Sequence, residues 1–138
     1  MVIPRFVNLA IADQNLPGYG DGLQTRCFLN VNDAVEAILA LSDNPNAIGQ
    51  VFNIGSTEEV SMLELARNIQ ALIHGKDDAI DMIPYEEAYI EGFDDMRRRV
   101  PNISKIKAFT GWEPKLTLQQ TLQDIIAYYD KQSTIEDA

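Results

Sequence analysis

The chain has 138 residues, 46% of them hydrophobic, and a formal net charge of −10. That length suits one domain, or a large part of a bigger protein, with enough apolar residues for a real core, and the strong acidity argues against nucleic acid and anionic membranes as partners. No apolar run reaches the ~18 residues of a membrane span, Met1 to Arg5 lack the layout of a secretory signal, and the single Cys27 excludes an internal disulfide and fits a reducing, cytoplasmic setting.

Ile3, Phe6, Val7, Ala10 and Ile11 fall on one helical face, with Pro4 in the first turn. Leu16-Pro17-Gly18 ends that helix, and a turn-rich stretch follows to Gly22. Alternation predicts a strand over Arg26 to Val31, with Cys27, Leu29 and Val31 on one side. Asn32 or Asp33 is the expected cap of a second helix that carries Val35, Ile38 and Leu39 and stops at Asp43-Asn44-Pro45. Val51 to Ile54 reads as a short strand ending at Gly55.

Ser61 with Glu64 is a capping box. It opens a third helix whose stripe is Met62, Leu65, Ala66, Ile69, Leu72 and Ile73 and whose end is His74-Gly75. Ile80 to Pro84 is a candidate strand. Tyr85 to Asp95 is an acidic loop, followed abruptly by Arg97-Arg98-Arg99. Asn102 is the expected cap of a short helix ended by Gly111, and Thr117 with Gln120 opens the last helix, with a polar tail expected to fray after Gln132. Helices alternating with strands favour an α/β fold, yet only three strands are legible, too few for a parallel sheet covered on both faces.

The chemistry concentrates in Tyr19-Gly20-Asp21-Gly22-Leu23-Gln24-Thr25-Arg26. Gly18, Gly20 and Gly22 resemble a dinucleotide fingerprint only superficially. That fingerprint needs a strand before it and a helix after it, and here a helix precedes and a strand follows. Arg26, beside Gln24 and Thr25, fits two roles: a donor fork for phosphate oxygens, or a surface ion pair with Asp21 or Asp33. Arg97, Arg98 and Arg99 are either a solvated run paired with Glu91, Asp94 and Asp95 or the source of one inward cation that clamps an anion together with Arg26. His74 suits a helix C-terminus, Cys27 suits the core, Trp112 suits an anchor for the last two helices, and Asp33 and Glu36 suit helix-start acids. One His and one Cys make no metal cluster.

These stretches, taken with Val2-Ile3-Pro4-Arg5-Phe6-Val7, Val51-Phe52-Asn53-Ile54-Gly55-Ser56, Arg98-Arg99-Val100-Pro101-Asn102 and Gly111-Trp112-Glu113-Pro114, resemble the C-terminal region of the extended short-chain dehydrogenase/reductases, the NAD-dependent nucleotide-sugar epimerases and dehydratases such as UDP-glucose 4-epimerase. The resemblance covers nearly the whole chain. It implies a partial Rossmann-type α/β fold with few short strands and about five helices, in which residues 1–132 form the substrate-binding region and the cofactor-binding half is absent.

It also implies roles. Arg26 is similar to the diphosphate-gripping arginine of that family and Arg99 to its partner, with Arg98 as the alternative. Tyr19 and Gln24 correspond to the segment lining the nucleotide base, and Pro4 and Arg5 to the substrate-side helix start. NAD is the family cofactor, serving hydride abstraction from the sugar and its return, but no Tyr-x-x-x-Lys pair occurs here: no tyrosine has a lysine four residues on. No catalytic residue and no NAD site are therefore expected in this chain. The expected function is nucleotide-sugar binding, with a cofactor half and a homo-oligomer as partners. A non-catalytic assembly module and one subunit of a split enzyme are the alternatives. Each of these readings leaves a strand edge near Val51 to Ile54 and some apolar helix faces uncovered.

Overall fold

The computed structural model describes residues 1–76, 79–84 and 96–136. In chain order these form α1 (Val2–Ile11), β1 (Leu16–Tyr19), β2 (Thr25–Cys27), α2 (Val31–Ser42), a 3-10 turn (Pro45–Ala47), β3 (Glu59–Ser61), α3 (Met62–His74), β4 (Ile80–Ile83), α4 (Ser104–Thr110) and α5 (Leu118–Glu136). The expected acidic loop over 85–95 lies outside the described residues. The strands make two separate pairs. β1 runs parallel to β4, with Leu16 opposite Ile80 and Tyr19 opposite Ile83. β2 runs antiparallel to β3, with Thr25 opposite Ser61 and Cys27 opposite Glu59.

The helical stripes assemble the core. α1 turns Ile3, Phe6, Val7 and Ala10 onto Leu65, Ala66 and Ile69 of α3 and onto Leu118 and Leu122 of α5, with Leu16 and Val60 completing the cluster. Each fully buried Val, Leu, Ile or Phe contributes roughly 1.5–3 kcal/mol, so these side chains fix where the three helices cross. α3 and α5 open with the caps that the sequence predicts. Ser61 Oγ accepts from Glu64 N–H while Glu64 accepts from Ser61 N–H, and Thr117 and Gln120 repeat the reciprocal pattern. Gly75 closes α3 in the left-handed conformation, φ 67°. His74 sits in the last turn, its Nε2 2.8 Å from the Ala10 carbonyl of α1.

Several strand boundaries differ from expectation. α1 ends at Ile11, before Leu16-Pro17-Gly18, which instead begins β1, where proline is tolerated because this is an edge strand. The strand expected over Arg26 to Val31 stops at Cys27. Asn30, rather than Asn32 or Asp33, caps α2 by accepting from Asn32 N–H at 2.9 Å. β3 was not anticipated, since three residues carry too little periodicity to register. Val51 to Ile54 joins no ladder among the described residues, although its exposure alternates as a strand's does. The backbone of α5 is helical to Glu136, beyond Gln132.

The apolar stripe of α2 is exposed: Val35, Ile38 and Leu39 are 48%, 57% and 56% exposed, and Val31 joins them. The buried positions are instead Asp33 and Ala37. Ala37 packs with Ile106 of α4 and Trp112 in a second small core, against which Phe52 and Ile54 lie. The expected uncovered surface is therefore present: α2 offers an apolar stripe, and Val51 is 82% exposed.

Asp33 is the polar pin of this second core. It is 2% exposed. Its Oδ2 accepts from the backbone N–H groups of Lys115 and Leu116 at 3.1 and 3.0 Å, and its carbonyl accepts from Trp112 Nε1. Lys115 Nζ reaches Glu36 at 2.7 Å, which raises the lysine pKa. Trp112 thus ties α2 to α4, rather than joining the last two helices. Replacing Asp33 by Ala removes both charge-assisted bonds, so urea unfolding should show a loss of about 2–4 kcal/mol; a change below about 0.5 kcal/mol would show that the pin is dispensable.

Candidate functional site

The glycine turn between β1 and β2 is built from both ends. Gly20 N–H donates to the Ile83 carbonyl, extending the β1–β4 ladder, and Leu23 N–H donates to Asp21 Oδ1. Gly20 and Gly22 take φ 63° and 66°, the left-handed region that glycine enters without a side-chain clash. A Cβ on Gly22 would also stand 3.0 Å from that of Leu63. The carbonyls of Gly22 and Gln24 accept from Leu63 and Met62 N–H, so the turn is held by the first turn of α3, whose N–H groups would otherwise lack partners.

Beside this turn opens a cavity of about 1020 Å³. One wall comes from α1 and β1 through Val2, Arg5, Phe6 and Tyr19. A second comes from β2 and its flanks through Gln24, Arg26 and Phe28. The third is formed by Asn53 to Ser56 and by Arg99 to Asn102. Arg5, Arg26 and Arg99 all line it, and no described Asp or Glu does. In a chain of net charge −10, this is a local inversion of sign. Cationic walls around a concave space of this size suit an anionic small molecule.

The predicted site residues separate on inspection. Arg26, Arg99, Tyr19, Gln24 and Arg5 line the cavity. Pro4, half-buried on α1, is outside the lining, and so is Arg98. Arg5 Nη1 donates to Tyr19 Oη at 3.0 Å. Gln24 is 7% exposed, and its Oε1 is buried without a hydrogen-bond partner. Arg26 pairs with neither Asp21 nor Asp33 among its assigned bonds. Its Nη1 donates to the Thr25 and Met96 carbonyls, both at 2.7 Å. Cys27 is half-buried on the cavity wall rather than in the core, and burial followed by the Glu59 charge raises its pKa.

The arginine run is divided between surface and cavity. Arg97 Nη1 pairs with Asp21 at 2.9 Å. That contact, second to the Leu23 N–H bond, lowers the Asp21 pKa. Arg98 forms a two-pronged pair with Glu59, Nε to Oε1 and Nη2 to Oε2, both at 2.9 Å. Arg98 and then the Thr25 hydroxyl hold the Glu59 carboxyl below its usual range. The acidic partners expected from 91–95 lie outside the described residues. Sequence reasoning gave Asn53 and Asn102 no site role and passed over Glu59; no motif marks them, and only the fold brings them here.

Glycine also sets the width of the third wall. A Cβ on Gly55 would lie 2.7 Å from Cγ of Pro101, so the two segments touch there. Asn53 Nδ2 donates to the Asn102 carbonyl at 3.3 Å and reinforces the contact.

A family description, GDP-mannose 4,6 dehydratase, matches residues 1–125. UDP-N-acetyl-alpha-D-glucosaminuronate decarboxylase of Bacillus cytotoxicus is 38% identical over 93% of this chain, which spans 39% of that protein's length. The structure of an epimerase from Methanothermobacter thermautotrophicus superposes with a TM-score of 0.85 at 27% identity, covering 98% of this chain and 38% of that one. UDP-glucuronic acid 4-epimerase of Bacillus cereus, solved with UDP-glucuronic acid and NAD, gives 0.82 at 25% identity, covering 96% and 40%. The fold is α/β with five helices and few strands, and it aligns with part of the Rossmann-like fold of these relatives. The chain belongs to the NAD-dependent epimerase/dehydratase family of short-chain dehydrogenases/reductases and matches its C-terminal region.

NAD is bound in solved relatives, and the glycine turn here does not have the form of a dinucleotide fingerprint. The glycine turn leads into β2 rather than into a helix, so no helix N-terminus follows it to face a pyrophosphate. Among the described residues, no helix is long and apolar enough to cross a membrane.

Two outcomes follow from this geometry. Gly55→Ala should destabilise the chain by about 1–3 kcal/mol, read from urea unfolding, because backbone and proline must move apart; an unchanged midpoint would show that the third wall yields freely. The second concerns acid. Glu64 has its pKa lowered by the Ser61 backbone N–H and then the Ser61 hydroxyl. A depressed carboxylate adds stability that is complete above its ordinary value of 4.5 and fades as pH falls through the depressed one. Glu64→Gln should therefore flatten the fall in thermal midpoint below that pH; an unaltered acid slope would contradict the assignment.

Proposed function

We propose that the chain is the nucleotide-sugar-binding part of an NAD-dependent epimerase, dehydratase or decarboxylase, and that Arg26 and Arg99 grip the diphosphate of its substrate. The observation that carries this reading is the cavity with three arginines and no described carboxylate in its lining, inside a strongly acidic chain. Arginine suits the task because its planar fork matches phosphate oxygens in two directions. Tyr19 and Arg5, on the wall from α1 and β1, and Gln24, at the start of the β2 wall, take the nucleoside. Asn53, its amide held by the Asn102 carbonyl, stands on the third wall toward the sugar.

The names of the relatives favour UDP-sugars, and the decarboxylases among them favour a uronic acid. The chain spans 39% of the first relative's length, so the reaction belongs to a longer assembly. The stripe on α2 and the unpaired Val51 to Ile54 segment are the surfaces on which a cofactor-holding part would sit. Left uncovered, they favour self-association of the isolated chain.

Calorimetric titration with UDP, UDP-glucose, UDP-glucuronate and NAD tests the reading. The UDP compounds should bind, UDP-glucuronate most tightly, and NAD should not. Arg26→Ala or Arg99→Ala should weaken UDP about 10- to 100-fold, the loss expected for one charge-assisted contact. Equal UDP affinity in wild type and both variants would remove the site assignment.

A further inference from the structure

Arg99 reaches the cavity although the two arginines before it do not, and the hydrogen bonds explain why. Residues 96–99 lie alongside β2. Thr25 N–H donates to the Arg97 carbonyl at 2.8 Å, and Thr25 and Arg98 form a parallel bridge. In an extended segment, successive side chains leave on opposite sides. Arg98 is turned toward β3, where Glu59 receives it in a two-pronged pair and also accepts from Thr25 Oγ1 at 2.5 Å. The side chain that follows, Arg99, is thereby directed to the other side, onto the cavity wall.

Glu59 is itself outside the cavity lining. Its register opposite Cys27 on β2 puts the carboxylate on the same face of the ladder as Thr25 and Arg98, so it reaches across β2 to both. An isolated exposed ion pair contributes little. This one differs in being two-pronged and in sharing its acceptor with a third donor on a strand already paired.

We propose that Glu59 is a positioning residue: its carboxylate latches residues 97–99 onto β2 and so holds Arg99 where it faces the bound anion together with Arg26. This rests on the reading of the cavity as a diphosphate site. The latch makes a prediction opposite in sign to simple electrostatics. Removing a negative charge close to an anion site should tighten anion binding by Coulomb attraction alone, whereas loss of the latch should weaken it.

The test has two arms on the full 138-residue chain. The first follows amide hydrogen exchange at Thr25, whose N–H closes the bridge. Glu59→Gln should speed it at least tenfold while the Ile69 amide in α3 is unmoved. Arg98→Ala, which breaks the pair from its other end, should do the same, and the double variant should add nothing further. The second arm titrates UDP. Both single variants should bind it several-fold more weakly, again without additivity.

Unchanged Thr25 exchange in Glu59→Gln, or tighter UDP binding in that variant, would overturn the proposal. So would loosened exchange with unaltered UDP affinity. Failure of the cavity reading looks different: wild type then binds no UDP, or Arg26→Ala and Arg99→Ala bind it as well as wild type. The exchange arm still decides whether Glu59 holds the segment.

Discussion

The site depends on the pairing of a very short strand on both of its edges. β2 is three residues long, yet β3 bonds one edge and the arginine segment the other. Neither neighbour is close to β2 in sequence, so each contact carries a loop-closure cost that the helical core must offset. The core does so by crossing α1, α3 and α5 over Leu65, Ile69 and Leu122, and α3 then presents its first N–H groups to the glycine turn. Packing fixes α3, α3 fixes the turn, the turn fixes β2, and β2 sets the place of Arg26 and of the segment bearing Arg99.

Charge gives this arrangement its direction. A net charge of −10 would repel a nucleotide diphosphate at long range. Within a Debye length of about 8–10 Å, however, nearby groups dominate over distant ones. Among the described residues, the acids paired with the arginine run are Asp21, on Arg97, and Glu59, on Arg98. Three arginines then face the cavity with no described carboxylate among them. The same carboxylates that make the chain acidic thus sort the arginine run, holding some side chains at the surface.

Most of the helical framework was legible in the sequence because its signals are local and redundant. The stripe of α1, the capping boxes of α3 and α5, and the glycine ends of α3 and α4 each combine a period with a cap. The strands were read poorly because three or four residues carry almost no period, and their partners lie far along the chain. The α2 stripe was legible, but its surroundings were not. Val35, Ile38 and Leu39 carry a helical apolar pattern, but no described element covers them, and the helix is anchored instead through Asp33 and Ala37 on its other side. Periodicity announces that a face needs covering, not what covers it. For the site, Arg26 and Arg99 stood out by type and place, whereas the pairing that sends Arg98 to Glu59 required the bridge between Thr25 and Arg98.

A crystal structure of the chain with UDP bound tests the central claim most directly. The account predicts the diphosphate inside the cavity, with guanidinium nitrogens of both Arg26 and Arg99 within hydrogen-bond distance of its oxygens and the base toward Tyr19. A diphosphate bound with both arginines turned away, or seated outside this cavity, would contradict it.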